Sequence, residues 1–368
     1  MNPDPKSYIL SDVESRAIFE KKIVPAELGV TAGGGAASDT EDTPTNTRQP
    51  LAVFVIGQTG AGKTRTAPAL LDAMREVRRD GGGNGDLPPA HFIADTYKAY
   101  HPAWAGLATS RPGLASPATG PDARRWLAMA AARAAESRRD VLLESACRHA
   151  GDFADLARIL HAARYRIEVA VLATPSALSL LGVLARFYLH GRAAEESPGP
   201  GPANLLPARL TPRAVHDESY AGVLEAASLI DGLDLAAETE EVVDQVVVVR
   251  RDNLVAYADE RDPDGRWIHS GSSSGGVVAA LEAERRRPPT SAERAAADTD
   301  LQMLRDLGIP GLDAQLREIE ALLDGEPAVP EANDEIRPPE FPPLGPWKLP
   351  GPSADSIVGE KLSLRLGT

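Results

Sequence analysis

One segment constrains the fold of this chain more than any other, because it joins an apolar run to a glycine-rich loop. Residues 51–56 read LAVFVI, which is typical of a buried strand, and residues 57–64 read GQTGAGKT. This is the phosphate-binding-loop pattern, in which a glycine, four residues and a second glycine precede a lysine and a hydroxyl side chain. The helix predicted to follow adds the positive end of its dipole to the same anion site. The segment therefore predicts a nucleoside triphosphate site between a strand and a helix.

Each position of the loop has a physical task. Glycines allow backbone angles that other residues avoid, so that consecutive N–H groups can turn towards phosphate oxygens. Lys63 carries a mobile charge that reaches the β- and γ-phosphates, and the hydroxyl of Thr64 is placed to bind Mg²⁺. We expect ATP or GTP, together with Mg²⁺, as the cofactor. The predicted nucleotide-binding residues are Gly57, Gln58, Thr59, Gly60, Ala61, Gly62, Lys63, Thr64 and Arg65.

Charge and composition narrow the class of protein. The 368 residues carry a formal net charge of −14, so nucleic acid is not expected as the main partner. The single cysteine, Cys147, excludes an intrachain disulfide, and we interpret it as a small buried hydrophobic residue. The N-terminus lacks the apolar core of a signal peptide, and no run of about 18 apolar residues predicts a membrane span. These features predict a cytoplasmic protein.

Strand and helix patterns alternate along the middle of the chain. The predicted strands lie at residues 51–56, 91–95, 140–145, 165–173 and 242–253. Beyond the helix that follows the loop, the predicted helices lie at residues 122–138, 152–163, 176–191 and 212–229. We expect Thr174 and Pro175 to begin the third of these as its N-cap and first residue. The alternation predicts an α/β protein with the P-loop kinase fold, in which helices cover both faces of a mostly parallel sheet.

We divide the chain into four regions. They are an N-terminal helix with a flexible linker (1–48), a P-loop kinase domain (49–285), C-terminal helices packed on that domain (286–325) and a Pro-rich extended tail (326–368). Ser11 and Glu14 have the capping-box spacing that begins a helix. Residues 192–208 are rich in proline and glycine, and we interpret them as a mobile flap within the kinase domain.

Two acidic residues end predicted strands, where an open parallel sheet binds its ligand. Asp95 ends the strand HFIAD, and we predict that it accepts a proton from the acceptor hydroxyl. The alternative is that Asp95 is the N-cap of the segment TYKAY. Glu144 ends the strand DVLLE and is predicted to bind Mg²⁺ through water, the alternative being an ion pair.

Two arginines flank the flap. Arg186 lies on the helix that leads into it, and Arg209 lies just beyond it. Phosphoryl transfer spreads negative charge over three oxygens, which arginines on a closing lid stabilise. We therefore place both with Lys63 and Asp95 as candidate catalytic residues, the alternative being that they are solvated surface arginines.

Further candidates follow the same strands. Arg148 comes after the strand that ends in Glu144, and its planar fork suits the phosphates of an acceptor. His101 follows the Asp95 segment, although a histidine taken alone is more often structural. We predict that Glu144, Arg148 and His101 contact the substrate. The sequence contains no recognisable metal-site spacing of His and Cys, and no Ser/His/Asp arrangement.

The order of these motifs resembles that of the zeta toxin family, bacterial P-loop kinases, over about residues 50–285. GQTGAGKT resembles the ATP loop, and DTYKAYHP resembles the segment that begins with the family's catalytic aspartate, at Asp95. LLESACR resembles a strand that ends in glutamate and is followed by a substrate-binding arginine, at Arg148. LGVLARFY and ARLTPRAVHD resemble the helix and the motif that carry the family's further arginines, at Arg186 and Arg209.

The resemblance implies phosphorylation of the 3′-hydroxyl of the amino sugar in UDP-N-acetylglucosamine, which inhibits cell-wall synthesis. It also implies a small helical antitoxin that blocks the ATP site, and no membrane partner is expected. Two departures concern the sugar, because Ala128 stands where the family often has a glutamate and Ala146 where it has a threonine. The alternatives are a kinase for another nucleotide sugar or small hydroxyl metabolite, and a non-catalytic ATP-binding switch.

Overall fold

A six-stranded sheet forms the centre of the protein. The computed structural model describes residues 4–29, 49–80, 88–190, 210–232, 242–251, 253–268 and 275–325. The strands are β1 (Leu51–Ile56), β2 (Ala90–Ile93), β3 (Val141–Ser145), β4 (Arg166–Leu172), β5 (Gln245–Val249) and β6 (Val255–Glu260). They lie in the order β2-β3-β1-β4-β5-β6, and every neighbouring pair is parallel except β5 and β6. The predicted α/β class with a mostly parallel sheet is confirmed.

Helices cover both faces of this sheet. They are α1 (Asp12–Ile18), α2 (Lys63–Asp80), α3 (Trp104–Ser110), α4 (Pro112–Glu136), α5 (Ala150–Ala162), α6 (Ser176–Ala185), α7 (Arg213–Ile230), α8 (Gly276–Arg286), α9 (Ser291–Asp306) and α10 (Leu312–Asp324). α1 and α6 each continue as a π-helix, over Phe19–Leu28 and Arg186–His190 respectively. None of the described helices is long and apolar enough to cross a membrane.

The central strand β1 is apolar throughout because both of its faces are buried. Its side chains alternate between two cores, because successive residues of a strand point to opposite faces. Ala52, Phe54 and Ile56 belong to the larger core, to which α4, α5 and α7 contribute. Leu51, Val53 and Val55 belong to the smaller core beneath α2. All six residues of the strand are therefore buried.

The segment before residue 122 differs from the prediction, which placed no helix between residues 95 and 122. It forms α3 and the first part of α4, a helix that contains Pro117 and Pro121. A proline inside a helix removes one backbone donor and costs stability. Packing offsets this cost here, because Ala115 and Ala118 of α4 form a buried cluster with Trp104 of α3. β6 and α8 were not predicted either, since both are short and carry mixed polar and apolar residues.

Both ends of the described chain pack on the central fold. The predicted capping box of Ser11 and Glu14 begins α1. The π-helical continuation of α1 packs on α4, and its last residue, Leu28, accepts a hydrogen bond (2.8 Å) from the Nη1 of Arg139, which lies between α4 and β3. At the other end, α9 and α10 form a hairpin whose apolar side chains pack on α6. The predicted linker, the flap at 192–208 and the tail at 326–368 lie outside the described residues.

Candidate nucleotide-binding and catalytic site

The loop after β1 takes the conformation for which its glycines were predicted. Gly60 and Gly62 have positive φ angles of 82° and 107°, which side chains other than glycine rarely adopt. A Cβ on Gly60 would lie 2.0 Å from the Ser179 carbonyl oxygen, and one on Gly57 would lie 2.8 Å from the Leu172 Cβ. The loop is therefore confined between β4 and α6, and glycine is required at both contacts.

Polar side chains fasten the loop from outside. The buried Gln58 donates from Nε2 to the Thr174 carbonyl (2.6 Å), and the Thr174 hydroxyl donates to the Ala61 carbonyl (3.0 Å). Arg285, on α8, donates to the Gln58 side chain (3.2 Å). Thr174 was predicted as the N-cap of α6, but Pro175 occupies that position, without a side-chain cap. Thr174 instead holds the loop, because its hydroxyl reaches a loop carbonyl.

Lys63 connects the loop to the charges around it. Its Nζ donates to the carbonyls of Gly57 (2.6 Å) and Gln58 (3.2 Å). Burial lowers the pKa of Lys63, while the negative charges of Glu144 and Asp95 oppose that shift and the positive charge of Arg186 adds to it. Three predicted site residues, from three different parts of the chain, thus contribute to the electrostatic environment of the loop lysine.

Asp95 follows β2 at the carboxyl edge of the sheet. Its carboxylate is exposed and pairs with the Lys98 ammonium (2.6 Å). It occupies the N-cap position of a 3₁₀ turn over Thr96–Tyr100 but makes no side-chain capping hydrogen bond there. The alternative of a capping role therefore receives no support from its contacts. The catalytic role of Asp95 stays a prediction.

Glu144 lies near the end of β3 and is almost fully buried. One of its oxygens lies 2.7 Å from the His91 Nε2, on the adjacent strand β2. Thr64 is the second residue of the loop helix α2 and is exposed. The carboxylate and the hydroxyl suit Mg²⁺, which prefers oxygen ligands and keeps waters and substrate phosphates in its shell. No group of three or more His, Cys, Asp or Glu side chains in the described part of the chain could hold a metal ion by itself.

Arg148 lies beyond β3, where a close helix contact positions its backbone. A Cβ on Gly222 of α7 would lie 2.0 Å from the Cys147 carbonyl oxygen and 3.0 Å from the Arg148 carbonyl oxygen. The Arg148 guanidinium donates to Glu218 through Nε (3.0 Å) and Nη2. Burial raises the pKa of Cys147 to about 12, so its thiol is inert. The predicted substrate role of Arg148 remains compatible with its partial exposure.

The three remaining predicted residues differ in their placement. Arg186 is exposed at the end of α6, and Arg209 lies outside the described residues. His101 is buried, and its Nε2 lies 3.1 Å from the Tyr8 carbonyl oxygen and 3.4 Å from Asp122. Its Nδ1 accepts a hydrogen bond from the Ala103 N–H (3.1 Å). These contacts tie His101 to the N-terminal segment and α4, so none of them favours its predicted substrate role.

A hydrogen-bonded Ser-His-Asp chain, with a buried serine and histidine and an exposed aspartate, was missed in the sequence. The Ser179 hydroxyl lies 2.8 Å from the His216 Nε2, and the His216 Nδ1 lies 2.9 Å from Asp217. Ser179 and His216 are 0% and 1% exposed, so no substrate reaches the hydroxyl and the chain fastens α7 to α6 instead. On the same helix, the Ser219 hydroxyl accepts a hydrogen bond from the Thr59 N–H of the loop (3.1 Å). Of these contacts, the sequence shows only that His216 and Asp217 are adjacent.

Comparisons with known proteins identify one family and several solved structures that the chain resembles. The family model described as Zeta toxin matches residues 35–262. The toxin–antitoxin system PezAT of Streptococcus pneumoniae is similar in structure, with a TM-score of 0.51, 16% identity, and coverage of 81% of this chain and 98% of that one. The AvrRxo1-ORF1:ORF2 complex with ATP has a TM-score of 0.35 at 14% identity, covering 60% of this chain and 57% of that one. No curated protein matches the chain.

Proposed function

Because the chain belongs to the zeta toxin family, we propose that it is an ATP-dependent phosphotransferase with an alcohol group as acceptor. One observation carries the proposal: the exposed carboxylate of Asp95 lies at the carboxyl edge of the sheet, the edge that carries the phosphate-binding loop, and its charge acts on the loop lysine Lys63. A phosphate-binding loop alone would serve a switch as well as an enzyme. An exposed carboxylate on the acceptor side of that loop favours an enzyme, because it can take the proton of an acceptor hydroxyl.

The proposed reaction transfers the γ-phosphoryl group of ATP. The loop and Lys63 hold the β- and γ-phosphates, and Mg²⁺ bound near Thr64 and Glu144 would neutralise part of their charge. The acceptor oxygen attacks the γ-phosphorus, the bond to the bridging oxygen breaks, and ADP leaves. Asp95 takes the proton of the acceptor hydroxyl. Arg186, with Arg209, stabilises the charge that spreads over the transferred group.

For the acceptor, we propose UDP-N-acetylglucosamine, phosphorylated at the 3′-hydroxyl of its sugar. Family membership supports this choice, and Arg148 offers a partly exposed guanidinium suited to the diphosphate. Ala128 and Ala146, both partly buried, lack the polar groups expected there, so the sugar is held by fewer hydrogen bonds. Another nucleotide sugar or small hydroxyl compound is the second candidate for that reason.

In the cell, such a kinase would inhibit cell-wall synthesis and require an antitoxin. Family membership supports this proposal, and the similar protein from Streptococcus pneumoniae is part of a toxin–antitoxin system. Expression of the wild-type chain and of the Lys63→Ala variant in bacteria, with cell lysis as the readout, tests toxicity. Equal growth of both cultures would contradict it.

The activity itself is tested by incubation with ATP, Mg²⁺ and a panel of nucleotide sugars. We expect a mass increase of one phosphate on UDP-N-acetylglucosamine, and no increase with the Lys63→Ala variant. Phosphorylation of a different sugar would retain the kinase and replace the acceptor. Binding of ATP without transfer to any acceptor would favour the switch and contradict the proposal.

A further inference from the structure

Helix α6 lies directly on the phosphate-binding loop. The Gly60 Cα approaches the Ser179 carbonyl so closely that a Cβ there would lie 2.0 Å from its oxygen. In return, a Cβ on Gly182 of α6 would lie 2.7 Å from the Gly60 carbonyl oxygen. Backbone therefore meets backbone at this contact, and Arg186, the C-cap of α6, follows four residues after Gly182. Any shift of α6 relative to the loop would move Arg186 relative to bound phosphates.

Arg251 bridges this contact from a third element. It follows β5, and its Nη1 donates to the Leu178 carbonyl of α6 (2.9 Å). Two distances show how closely it packs: a Cβ added to Gly182 would lie 3.1 Å from the Arg251 Nη2, and a Cβ added to Gly62 would lie 3.5 Å from the Arg251 Cγ. The connection that carries it is anchored in turn, because the Thr66 hydroxyl of α2 donates to Asn253 (2.9 Å). Arg251 thus contacts the loop and α6 at once.

The surroundings of Arg251 disfavour a charged arginine side chain, because they bury part of its guanidinium group. Its Nε is buried and has no hydrogen-bond partner among the residues that the structure describes. Burial, followed by the charge of Arg65, lowers the pKa of Arg251, and Asp300 and Glu293 of α9 oppose that shift. An unpaired buried donor lowers the stability of a fold. Stability of the fold therefore does not explain an arginine here, whereas a contact that joins two parts of the site does.

We propose that Arg251 is a positioning residue that holds α6 on the phosphate-binding loop and thereby places Arg186 for phosphoryl transfer. The inference rests on the proposed kinase activity. It assigns Arg251 no contact with the reacting atoms. α9, which lies beyond the residues matched by the family model, contributes through Asp300, whose negative charge stabilises the guanidinium.

Arg251→Met tests the role, with Arg250→Met as the matched control. Arg250 is its neighbour, but its guanidinium pairs with Glu284 of α8 through Nε (2.7 Å) and Nη2 (3.0 Å). We expect Arg251→Met to lower kcat roughly 10- to 100-fold, since small displacements of catalytic groups have effects of this order, with the KM for ATP changed less than about threefold. Its Tm should equal or exceed that of the wild type. Arg250→Met should lower Tm and leave kcat unchanged.

Two further variants separate positioning from general damage. In Arg251→Lys, one donor can still reach the Leu178 carbonyl, so part of the lost kcat should return. In the double variant with Arg186→Ala, the Met substitution should add less than about a threefold further loss, because both act through the same group. Independent, multiplicative losses would overturn the proposal, as would a Tm that falls together with kcat in both Arg251 variants.

Hydrogen exchange gives a readout that does not depend on turnover. With a non-hydrolysable ATP analogue, amides of Ser176–Ala185 should become more protected in the wild type but not in Arg251→Met, while the loop gains protection in both. Equal protection of α6 in both proteins would overturn the role of Arg251. If the wild type transfers phosphate to no acceptor, the kinase proposal fails, and this measurement still decides whether Arg251 couples the loop to α6.

Discussion

The carboxyl and amino edges of the central sheet both collect acidic residues but use them differently. At the carboxyl edge, Asp95 keeps 53% of its side chain exposed, and its charge acts with that of Glu144 on the loop lysine. At the amino edge, the side chain of Glu168 is 0% exposed. The carboxylate of Asp95 is thus open to a ligand, whereas that of Glu168 is enclosed by the protein.

The contacts at the amino edge show what its acidic residues do. Asp140 precedes β3 and accepts a hydrogen bond from the Leu51 N–H at the start of β1 (2.8 Å). Asp244 precedes β5 and accepts one from the Ile167 N–H near the start of β4 (2.7 Å). Both carboxylates satisfy backbone donors where neighbouring strands begin. We therefore expect substitutions at the carboxyl edge to change activity, and substitutions at the amino edge to change stability.

The largest effect is expected from Lys63→Ala. Turnover should fall below detection while Tm stays near the wild-type value, because the ammonium neutralises phosphate charge and contributes little packing. Steady-state kinetics and thermal unfolding check the two halves of this expectation. Retention of full activity would remove the kinase assignment.

The second-largest effect is expected from Asp95→Asn. The substitution keeps the shape of the side chain but removes the base, so we expect kcat to fall by about 10² to 10⁴ with ATP affinity nearly unchanged. Calorimetric titration with ATP provides the affinity. A loss of less than about tenfold would be too small for a general base and would return Asp95 to a structural role.

Arg186→Ala and Arg209→Ala should lower kcat roughly 100-fold, with a smaller rise in the KM for ATP, because the charge that they meet develops only during transfer. Lysine at either position should rescue poorly, since its point charge cannot reproduce the planar fork. A change confined to KM would make these arginines ground-state phosphate ligands. The lid hypothesis would then fail.

At the amino edge, Glu168→Gln should change stability in a pH-dependent way. Burial, opposed by Arg166, raises the pKa of Glu168 from 4.5 to about 7. Between these values the folded protein binds more protons than the unfolded chain, so the contribution of Glu168 is fully present below pH 4.5 and is lost as pH rises through about 7. We expect the variant to gain stability relative to the wild type between about pH 5 and pH 8, by at most about 3 kcal/mol.

Urea unfolding of the wild type and of Glu168→Gln at about pH 5 and about pH 8 measures this difference in stability. Glu76→Gln, on the exposed surface of α2, is the matched control and should change little with pH. An equal gain in stability in the control would show that the change in net charge, and not the burial of Glu168, causes the effect. Activity should stay unchanged in both variants, because neither residue lies at the carboxyl edge.

The smallest effect concerns the choice of sugar. Without the polar groups expected at Ala128 and Ala146, the protein should discriminate among nucleotide sugars by only about 1 to 3 kcal/mol, the range of apolar pockets. Calorimetry with UDP-N-acetylglucosamine and two epimers, in the presence of a non-hydrolysable ATP analogue, measures it. A much stronger preference would mean that other residues, of which Arg148 is the nearest candidate, supply the missing contacts.

Local patterns were enough to predict much of the fold. The strand and loop at residues 51–64 were placed correctly, because the apolar run and the glycines act on the backbone where they stand. The capping box of Ser11 and Glu14 was recognised for the same reason. The first part of α4 was missed, since Pro117 and Pro121 argue against a helix until the contacts with α3 are known.

The sequence by itself determined that this chain builds a phosphate-binding loop between a strand and a helix, because that loop depends on neighbouring residues alone. Only the tertiary structure decided what holds the loop and faces it. Thr174 reaches Ala61, Ser219 reaches Thr59, and Arg251 reaches Leu178 across long stretches of chain. No periodicity or spacing encodes such pairs, because packing of the sheet and helices brings them together.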